Sequence, residues 1–375
     1  MTRPLSELTT LRLGGPPRRL VDARTDDQLL AAVREAAGPV LVLAGGSNVV
    51  VADEGFPGTV VHVRTTGVEP TGHGSVTVAA GESWDGFVAA CVERGVAGVE
   101  CLSGIPGSVG ATPIQNVGAY GQEVAERITA VRAYDRTRDE VVELAPADCG
   151  FSYRSSRFKR EPDRWVVLSV SFELRPGELS APIRYAELSG ALGIETGARA
   201  PLAEVREAVL ALRARKGMVL DPADPDSVSA GSFFTNPVLS AERFGSLEAR
   251  AGAAPPAWPE PDGRIKTSAA WLIERAGFSR GYGDPDGIAI SSKHTLALTN
   301  RGRGTAAQLV ALASEIAAGV HERFGVRLVN EPVLVGLRLD EGAAEAVDVA
   351  GAEDERDVAG AEARREHPLG VREAR

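Results

Sequence analysis

A long segment that is rich in glycine and almost free of charge constrains the fold of this chain more than any other feature. It runs from Ser103 to Glu123 and reads SGIPGSVGATPIQNVGAYGQE. Flexible surface loops are usually charged or rich in serine, whereas this segment interleaves glycine with isoleucine, valine, proline and tyrosine. The composition therefore predicts backbone that packs closely against another segment or against a flat ligand.

A second, shorter glycine-rich loop follows the apolar run PVLVL and comprises Gly45, Gly46, Ser47 and Asn48. Adjacent glycines can adopt positive φ, so that consecutive N–H groups converge on a phosphate, but a plain tight turn explains these four residues better when they are taken alone. Neither loop has the dinucleotide-binding pattern G-x-G-x-x-G at the start of a helix, and neither is a Gly-Lys-Ser/Thr phosphate loop. Two such loops on one mixed sheet predict instead a long cofactor held between two lobes.

Helices and strands are mixed in the first half of the chain. Helices are predicted after the N-cap residues Thr25 and Ser83, with stops at Gly38 and Gly95. Short runs rich in valine lie between and around them, and residues 128–144 have the pattern of a β-hairpin. The order lacks the regular strand and helix alternation of a doubly wound fold, so the predicted fold class is α+β.

A second region begins with an amphipathic helix that opens at Pro201, and the acidic, proline-rich linker LDPADPDS follows this helix. The helices and strands after the linker predict a smaller α/β unit with its own core. From about Asp340 the chain is acidic, rich in alanine and nearly devoid of large apolar residues. Such a segment buries too little surface to offset its ordering entropy, so residues 339–375 are predicted to form a disordered tail.

Composition excludes several classes of function. The chain has 375 residues and a net charge of -10, which argues against a nucleic-acid binder. Its three cysteines fit neither a disulfide framework nor zinc spacing, and its five histidines are scattered, so no metal site is predicted. The N-terminus lacks the apolar core of a signal peptide and no run approaches a membrane span, so a cytoplasmic protein without membrane contact is expected.

The stretch SAGSFFTNP, from Ser229 to Pro237, contains a serine next to two phenylalanines. If it is a strand, Phe233 and Phe234 point to opposite faces and Ser232 lies on the Phe234 side. Its hydroxyl then either bonds to a neighbouring carbonyl or is held in a dry pocket to give or take a proton. The stretch alone favours the first alternative.

Five motifs occur together in a specific order: LAGGSN, IPGSVGATPIQNVGAYGQE, FSYRSSRF, AGSFFTNP and NEPV. In order and approximate spacing they resemble the UDP-N-acetylenolpyruvoylglucosamine reductase (MurB) family, in its subclass with a tyrosine on the substrate loop, and the resemblance covers roughly residues 5–338. It implies an FAD-binding domain of the vanillyl-alcohol-oxidase (PCMH) type in residues 1–200, with lobes of about 1–66 and 67–200. A substrate-binding domain, residues 201–338, is implied to follow.

The resemblance also implies cofactors and partners. NADPH passes a hydride to FAD, and UDP-N-acetylglucosamine enolpyruvate is reduced to UDP-N-acetylmuramate in peptidoglycan precursor synthesis. A monomer is expected. The implied cofactor-binding residues are Gly45, Gly46, Ser47, Asn48, Gly107, Ala111, Thr112, Gln115, Asn116, Gly118 and Ala119.

Three catalytic residues are implied by the same motifs. Hydride addition places negative charge on the substrate's α-carbon and carboxylate, which Arg154 can stabilise by clamping the carboxylate. Ser232 resembles the family's proton donor, and Glu331 resembles its catalytic glutamate, although an ordinary pairing of Glu331 with an arginine is also possible.

Three further residues are implied to bind the substrate. Lys216, in a cluster with Arg213 and Arg215, matches the family's phosphate lysine, Tyr185 the substrate-loop tyrosine, and Asn236 a further contact. A solvated charged face and a simple Asn-Pro turn are the alternatives for Lys216 and Asn236. The chain departs from the family where Gly-Met follows Lys216, a place where proline is usual, and where Pro332 follows Glu331.

Two other functions compete with the reductase. An oxidase with the same cofactor fold would often attach its flavin through a histidine, but Ser47 and Asn48 follow the glycine pair here. A nucleotide-sugar sensor would need none of Arg154, Ser232 and Glu331. The reductase is therefore the favoured function.

Overall fold

The computed structural model describes residues 2–72 and 74–340. Beyond Asp340 the predicted disordered tail lies outside these residues, as does His73. The α-helices within the described ranges are α1 (Asp26–Arg34), α2 (Trp84–Glu93), α3 (Pro146–Cys149), α4 (Arg157–Arg160), α5 (Ala186–Leu192), α6 (Leu202–Arg215), α7 (Ala241–Ala251), α8 (Ala269–Arg275) and α9 (Ala306–Phe324). None of the helices in the described part of the chain is long and apolar enough to cross a membrane.

Short strands account for most of the remaining regular structure. In chain order the strands are β1 (Pro17–Ala23), β2 (Val40–Leu43), β3 (Val49–Val51), β4 (Phe56–Val63), β5 (Val68–Pro70), β6 (Ser75–Ala79), β7 (Val96–Ala97), β8 (Gly118–Ala119), β9 (Gln122–Glu123), β10 (Ile128–Asp135), β11 (Glu140–Leu144), β12 (Trp165–Glu173), β13 (Arg175–Pro176), β14 (Ser229–Ser232), β15 (Val238–Leu239), β16 (Trp258–Pro259), β17 (Ile265–Lys266), β18 (Ile288–Ile290), β19 (Ala297–Asn300) and β20 (Val333–Val335).

The predicted helix starts are confirmed at atomic detail. The Thr25 hydroxyl accepts the N–H of Gln28 and the Ser83 hydroxyl accepts the N–H of Gly86, so each side chain satisfies a donor in the first turn of its helix. The prediction that Gly38 ends α1 was wrong, because Glu35 already closes the helix with a backbone bond to Ala31.

Two sheets of different type form the first half of the chain. Strands β1, β4 and β2 make a three-stranded parallel sheet, and β11, β10, β12, β6 and β5 make a five-stranded antiparallel sheet. The predicted hairpin is the β10 and β11 pair. The shorter glycine-rich loop follows β2, whereas Gly110 of the longer segment bonds to Ala80 at the end of β6. The expectation of one mixed sheet was therefore wrong, and the loops meet between two sheets.

The second half of the chain builds a separate core around α9. Strands β14, β19 and β18 form a small antiparallel sheet, and α7 and α8 pack against α9. Leu11, Leu13 and Val50 from the start of the chain are buried in the same core. The first segment of the chain thus contributes to the apolar core of the last.

The strand β20 returns to the beginning of the molecule. It pairs in parallel with β3, and Val333 lies opposite Val49. The N–H of Ala52 also donates to the Val335 carbonyl at 2.9 Å. This pairing carries the NEPV motif to the residues that directly follow the shorter glycine-rich loop.

The carboxylate of Asp53, two residues after β3, links this region to the start of α9. The two oxygens of Asp53 accept the N–H groups of Ala306 and Ala307 at 2.8 and 3.0 Å, in the first turn of the helix. Replacing Asp53 with alanine should lower the free energy of unfolding by about 1 kcal/mol, because two helix N–H groups and the positive end of the helix dipole lose their partner. Urea denaturation followed by circular dichroism measures the change.

The neighbouring exposed acid, Glu54, supplies the matched control for this prediction. Glu54→Ala removes the same charge without removing a helix cap, so its effect should stay within about 0.5 kcal/mol. Equal destabilisation by the two variants would contradict the capping role of Asp53.

Candidate active site

The two glycine-rich loops meet backbone to backbone. A Cβ atom on Gly45 would lie 2.6 Å from the Cα of Gly107, and one on Gly107, whose φ is +119°, would lie 2.7 Å from the Ser47 hydroxyl. That hydroxyl donates to the Pro106 carbonyl at 3.0 Å. Glycine is required on both sides, so main chain forms the junction, as close approach to a phosphate or a flat ring demands.

Asn48 ties three segments together at this junction. Its side-chain amide donates to the side-chain carbonyl of Gln115 at 2.5 Å and to the backbone carbonyl of Glu331 at 3.4 Å. The backbone carbonyl of Asn48 accepts the Val333 N–H at 3.0 Å. The structure therefore brings together residues from both glycine-rich loops and from the NEPV motif.

The polar residues of the longer loop are used partly inside the loop itself. Thr112 is buried and its hydroxyl donates to Val109, and the buried Asn116 donates to Glu123 at 2.8 Å. Gly118 and Ala119 form strand β8, which a two-residue turn with positive φ at both positions joins to β9. Thr112 and Asn116 thus fix the shape of the loop, and Ala111 belongs to a short 3₁₀ helix within it.

Arg154 is held against this loop. Its guanidinium donates to the Gly118 carbonyl at 2.6 Å and to the Asn116 carbonyl at 3.4 Å, and its Nε lies 3.5 Å from a carboxylate oxygen of Glu331. The Arg154 backbone has φ +52°, a left-handed conformation that non-glycine residues adopt rarely and at an energetic cost. An arginine held in this way retains N–H donors for a further ligand.

Glu331 and Lys159 share the environment of Arg154. Burial raises the pKa of the Glu331 carboxyl group, while the positive charges of Arg154 and Lys159 act in the opposite direction. Burial also lowers the pKa of Lys159, whose ammonium group donates to the Arg154 carbonyl at 3.2 Å. Sequence reasoning missed Lys159, because its position next to a motif gave no indication of burial.

Ser232 lies at the end of a distorted strand. Strand β14 has a bulge in its pairing with β19 between Ser229 and Ser232, and Gly231 in the bulge has φ +76°. The rings of Phe233 and Phe234 are both buried and contact each other edge to face at 5.0 Å. The expectation that they point to opposite faces was wrong, because regular strand geometry stops at Ser232.

Glu331 and Ser232 approach each other through the backbone. The N–H of Glu331 donates at 2.8 Å to the carbonyl of Phe233, the residue that follows Ser232. Within residues 2–72 and 74–340 no group forms a hydrogen bond with the half-buried Ser232 hydroxyl, so the favoured expectation of a bond to a neighbouring carbonyl was wrong. The Asn236 side chain accepts the Ala269 N–H at 3.0 Å at the start of α8, which agrees with a structural turn.

The predicted substrate residues Tyr185 and Lys216 lie in one cluster. Lys216 forms an ion pair with Glu187 at 2.7 Å and lies 5.8 Å from the centre of the Tyr120 ring. The Tyr185 ring contacts Tyr120 edge to face at 5.5 Å. Arg213 is buried and donates to the Met218 carbonyl, and its charge acts on Tyr120 and on His294.

His294 is a further member of this cluster that sequence reasoning did not identify. The pKa of His294 is lowered to about 4, chiefly by burial and in addition by the nearby charges of Lys216 and Arg280. The imidazole is therefore neutral at neutral pH. His294 lies outside the sequence motifs, so the sequence did not indicate that it is buried near Lys216.

Two models of known families match parts of this chain. Residues 17–145 match the model of an FAD binding domain, and residues 222–335 match the C-terminal domain of UDP-N-acetylenolpyruvoylglucosamine reductase. With the α+β fold and the loop junction described above, these matches define an FAD-dependent oxidoreductase.

The relatives make the assignment more specific. The chain is 60% identical over 346 residues to the UDP-N-acetylenolpyruvoylglucosamine reductase of Streptomyces coelicolor, covering 90% of each chain. It is 56% identical over 349 residues to that of Thermobifida fusca, covering 90% of this chain and 98% of the relative. The crystal structure of the reductase from Thermus caldophilus superposes with a TM-score of 0.62 at 25% identity, covering 89% of this chain and 97% of that one. The chain belongs to the UDP-N-acetylenolpyruvoylglucosamine reductase family, which confirms the resemblance, the α+β fold class and the use of FAD.

The junction of the glycine-rich loops generates a prediction about cofactor binding. Gly45→Ala should yield folded protein that has lost most of its flavin, because the added methyl group would collide with the Gly107 backbone and separate the loops. The ratio of flavin absorbance to protein absorbance after purification measures the loss. Gly245→Ala, in the open middle of α7, is the control and should retain the wild-type ratio.

Proposed function

We propose that this chain reduces UDP-N-acetylglucosamine enolpyruvate to UDP-N-acetylmuramate with NADPH, and that Arg154, Glu331 and Ser232 carry the chemistry on the substrate. Family membership supports the reaction. The observation that carries the assignment of residues is the ion pair between Arg154 and Glu331, together with the backbone bond from Glu331 to Phe233, the residue that follows Ser232.

The residues at the loop junction fit FAD. The main chain around Gly45 and Gly107 would face the cofactor's phosphates and linker, with Ser47 and Asn48 fixing the shape of the junction. When bound, FAD supplies the two-electron chemistry that joins NADPH to the substrate.

Arg154 binds the carboxylate of the enolpyruvyl group. Negative charge develops there when hydride adds to the double bond, so a guanidinium that is already oriented stabilises the charge without reorganisation. Two loop carbonyls and Glu331 fix the orientation of Arg154, and these contacts support the role.

Ser232 delivers the proton to the α-carbon. A serine hydroxyl is a weak acid, but the carbanion or enolate that accepts the proton is strongly basic, and buried phenylalanine rings next to the serine help to exclude water. Glu331 lies beside the same centre, where it either orients a water molecule or assists as an acid.

The diphosphate of the substrate binds at Lys216, and Tyr185 closes over it as the family subclass implies. Lys216 is paired with Glu187, so the phosphates must replace this carboxylate as its partner. Tyr120, in edge contact with Tyr185, supports this closing segment. Asn236 is proposed as a substrate contact through the part of its amide that the bond to Ala269 leaves free.

The remaining aspects of the proposal concern assembly and location. All the proposed catalytic groups come from one chain, which supports function as a monomer. Cys91, Cys101 and Cys149 are free and buried, which is typical of a reducing compartment and supports the cytoplasm. We propose domain boundaries near residues 200 and 338, with an FAD-binding domain before the first and a substrate-binding domain between them.

Ser232→Ala separates the two half-reactions. Reduction of the flavin by NADPH should remain near the wild-type rate, whereas reoxidation by the enolpyruvyl substrate should slow by about 10²–10⁴-fold, because only the second step needs the positioned acid. Anaerobic stopped-flow absorbance measures both steps. Ser246→Ala, which removes an exposed hydroxyl from α7, is the control, and equal slowing of both steps by Ser232→Ala would exclude the proton-donor role.

Lys216→Met tests the phosphate site. The Michaelis constant for the enolpyruvyl substrate should rise by about 10- to 100-fold, because a charge-assisted contact with the diphosphate is lost. Steady-state kinetics measures the change, and Arg215→Met, which removes the adjacent exposed charge, should alter the constant by no more than about twofold. The same large rise in both variants would indicate a diffuse electrostatic effect and would contradict a specific site.

A further inference from the structure

Lys159 is a half-buried lysine next to two proposed catalytic groups, and the proposed mechanism gives it no task. It belongs to the short helix α4, and its ammonium group donates to the Arg154 carbonyl at 3.2 Å. In the described part of the chain no carboxylate forms an ion pair with it. Burial disfavours the charged form of Lys159, so a charged ammonium group at this position requires a compensating interaction.

The charged groups around Glu331 supply that interaction. Arg154 and Lys159 both act on the Glu331 carboxylate, whose charge also acts on Tyr153, and the Lys266 ammonium group lies 5.0 Å from the centre of the Tyr153 ring. Two cations thus share one carboxylate in a partly dry site. This excess of positive charge is complementary to a substrate that carries its own carboxylate.

The hydrogen bond to the Arg154 carbonyl has a second consequence. Arg154 has a left-handed backbone, a conformation that persists only where surrounding contacts hold it. Lys159 provides one such contact from the backbone side, while the carbonyls of Asn116 and Gly118 hold the guanidinium end. Arg154 is therefore fixed at both ends.

We infer that Lys159 is a positioning residue, which holds the backbone that presents Arg154 to Glu331 and adds a second positive charge to this group of side chains. The inference rests on the proposed function of these two residues. Lys159 contributes a hydrogen bond and a positive charge, and the two contributions can be separated by substitution.

Lys159→Gln retains a donor for the Arg154 carbonyl but no charge, and Lys159→Met retains neither. Loss of the charge removes an influence that lowers the pKa of Glu331, so this pKa should rise further above its ordinary value. The pH profile of substrate-dependent flavin reoxidation should shift to higher pH in both variants. The profile shifts to higher pH whether the reaction needs the charged or the protonated form of Glu331. In either case, the part of the profile that is set by Glu331 moves with the pKa of this residue.

The contribution of the hydrogen bond from Lys159 to the Arg154 carbonyl is measured by the rate of flavin reoxidation. At the optimum of each pH profile, Lys159→Met should reoxidise flavin at least about 10-fold more slowly than Lys159→Gln, because only the methionine leaves the Arg154 carbonyl without its donor. Lys159→Arg keeps the charge and should return the profile toward its wild-type position. Arg160→Gln removes a positive charge from the same helix, where Arg160 bonds to Gly150 and Ser155, and should leave the profile in place.

An independent measurement uses binding in place of turnover. Without NADPH the holoenzyme binds the enolpyruvyl substrate but cannot reduce it, so the pH dependence of its Kd reports Glu331 directly. The same upward shift is expected for Lys159→Gln and Lys159→Met in this experiment. Thermal unfolding of each variant establishes that the protein compared is folded.

Three results would overturn the inference. Unshifted profiles in both Lys159→Gln and Lys159→Met would exclude an effect on Glu331, and an equal shift in Arg160→Gln would reduce it to general electrostatics. Glu331→Gln distinguishes these failures from failure of the proposed function. If Glu331→Gln keeps the wild-type pH dependence, the role of Glu331 fails and the inference fails with it, whereas loss of this dependence together with unshifted Lys159 variants would refute the inference alone.

Discussion

The parallel pairing of β20 with β3 is the interaction on which the site depends. It places Val333 opposite Val49, so the segment that contains Glu331 runs beside the end of the shorter glycine-rich loop. Asn48 reinforces the pairing with bonds to the Glu331 carbonyl and the Val333 N–H. The shorter glycine-rich loop and the proposed catalytic carboxylate are therefore parts of one backbone arrangement, although a long stretch of sequence separates Asn48 from Glu331.

Electrostatics within this arrangement oppose the charge of the chain as a whole. The protein carries a net charge of -10, yet the proposed reaction concerns a substrate with a carboxylate and a diphosphate. Arg154 and Lys159 provide local positive charge near Glu331, and Lys216 provides it next to Glu187. Glu331 and Glu187 balance these cations in the free protein, and under the proposed function binding would exchange these carboxylates for anionic groups of the substrate.

The sequence predicted the features that depend on local chemistry. The side chains of Thr25 and Ser83 cap their helices as expected, because an N-cap needs only a hydroxyl next to the first turn. The longer glycine-rich segment was correctly predicted to be closely packed backbone, since only glycine fits at Gly107, whereas the plain tight turn favoured for the shorter loop taken alone left out its close approach to Gly107. Features that depend on long-range contacts were missed. The bulge before Ser232 changes the directions of two phenylalanine rings. Burial lowers the pKa values of Lys159 and His294, and this burial arises from segments far along the chain.

The most direct test of the account is the visible spectrum of the purified protein under anaerobic conditions, recorded first alone, then after one equivalent of NADPH, and then after UDP-N-acetylglucosamine enolpyruvate. The proposed reaction predicts a flavin band that bleaches with NADPH and returns when the enolpyruvyl substrate is added. A bleached flavin that oxygen restores but the enolpyruvyl substrate does not would contradict the account, because the groups around Arg154 and Glu331 would then not act on that substrate.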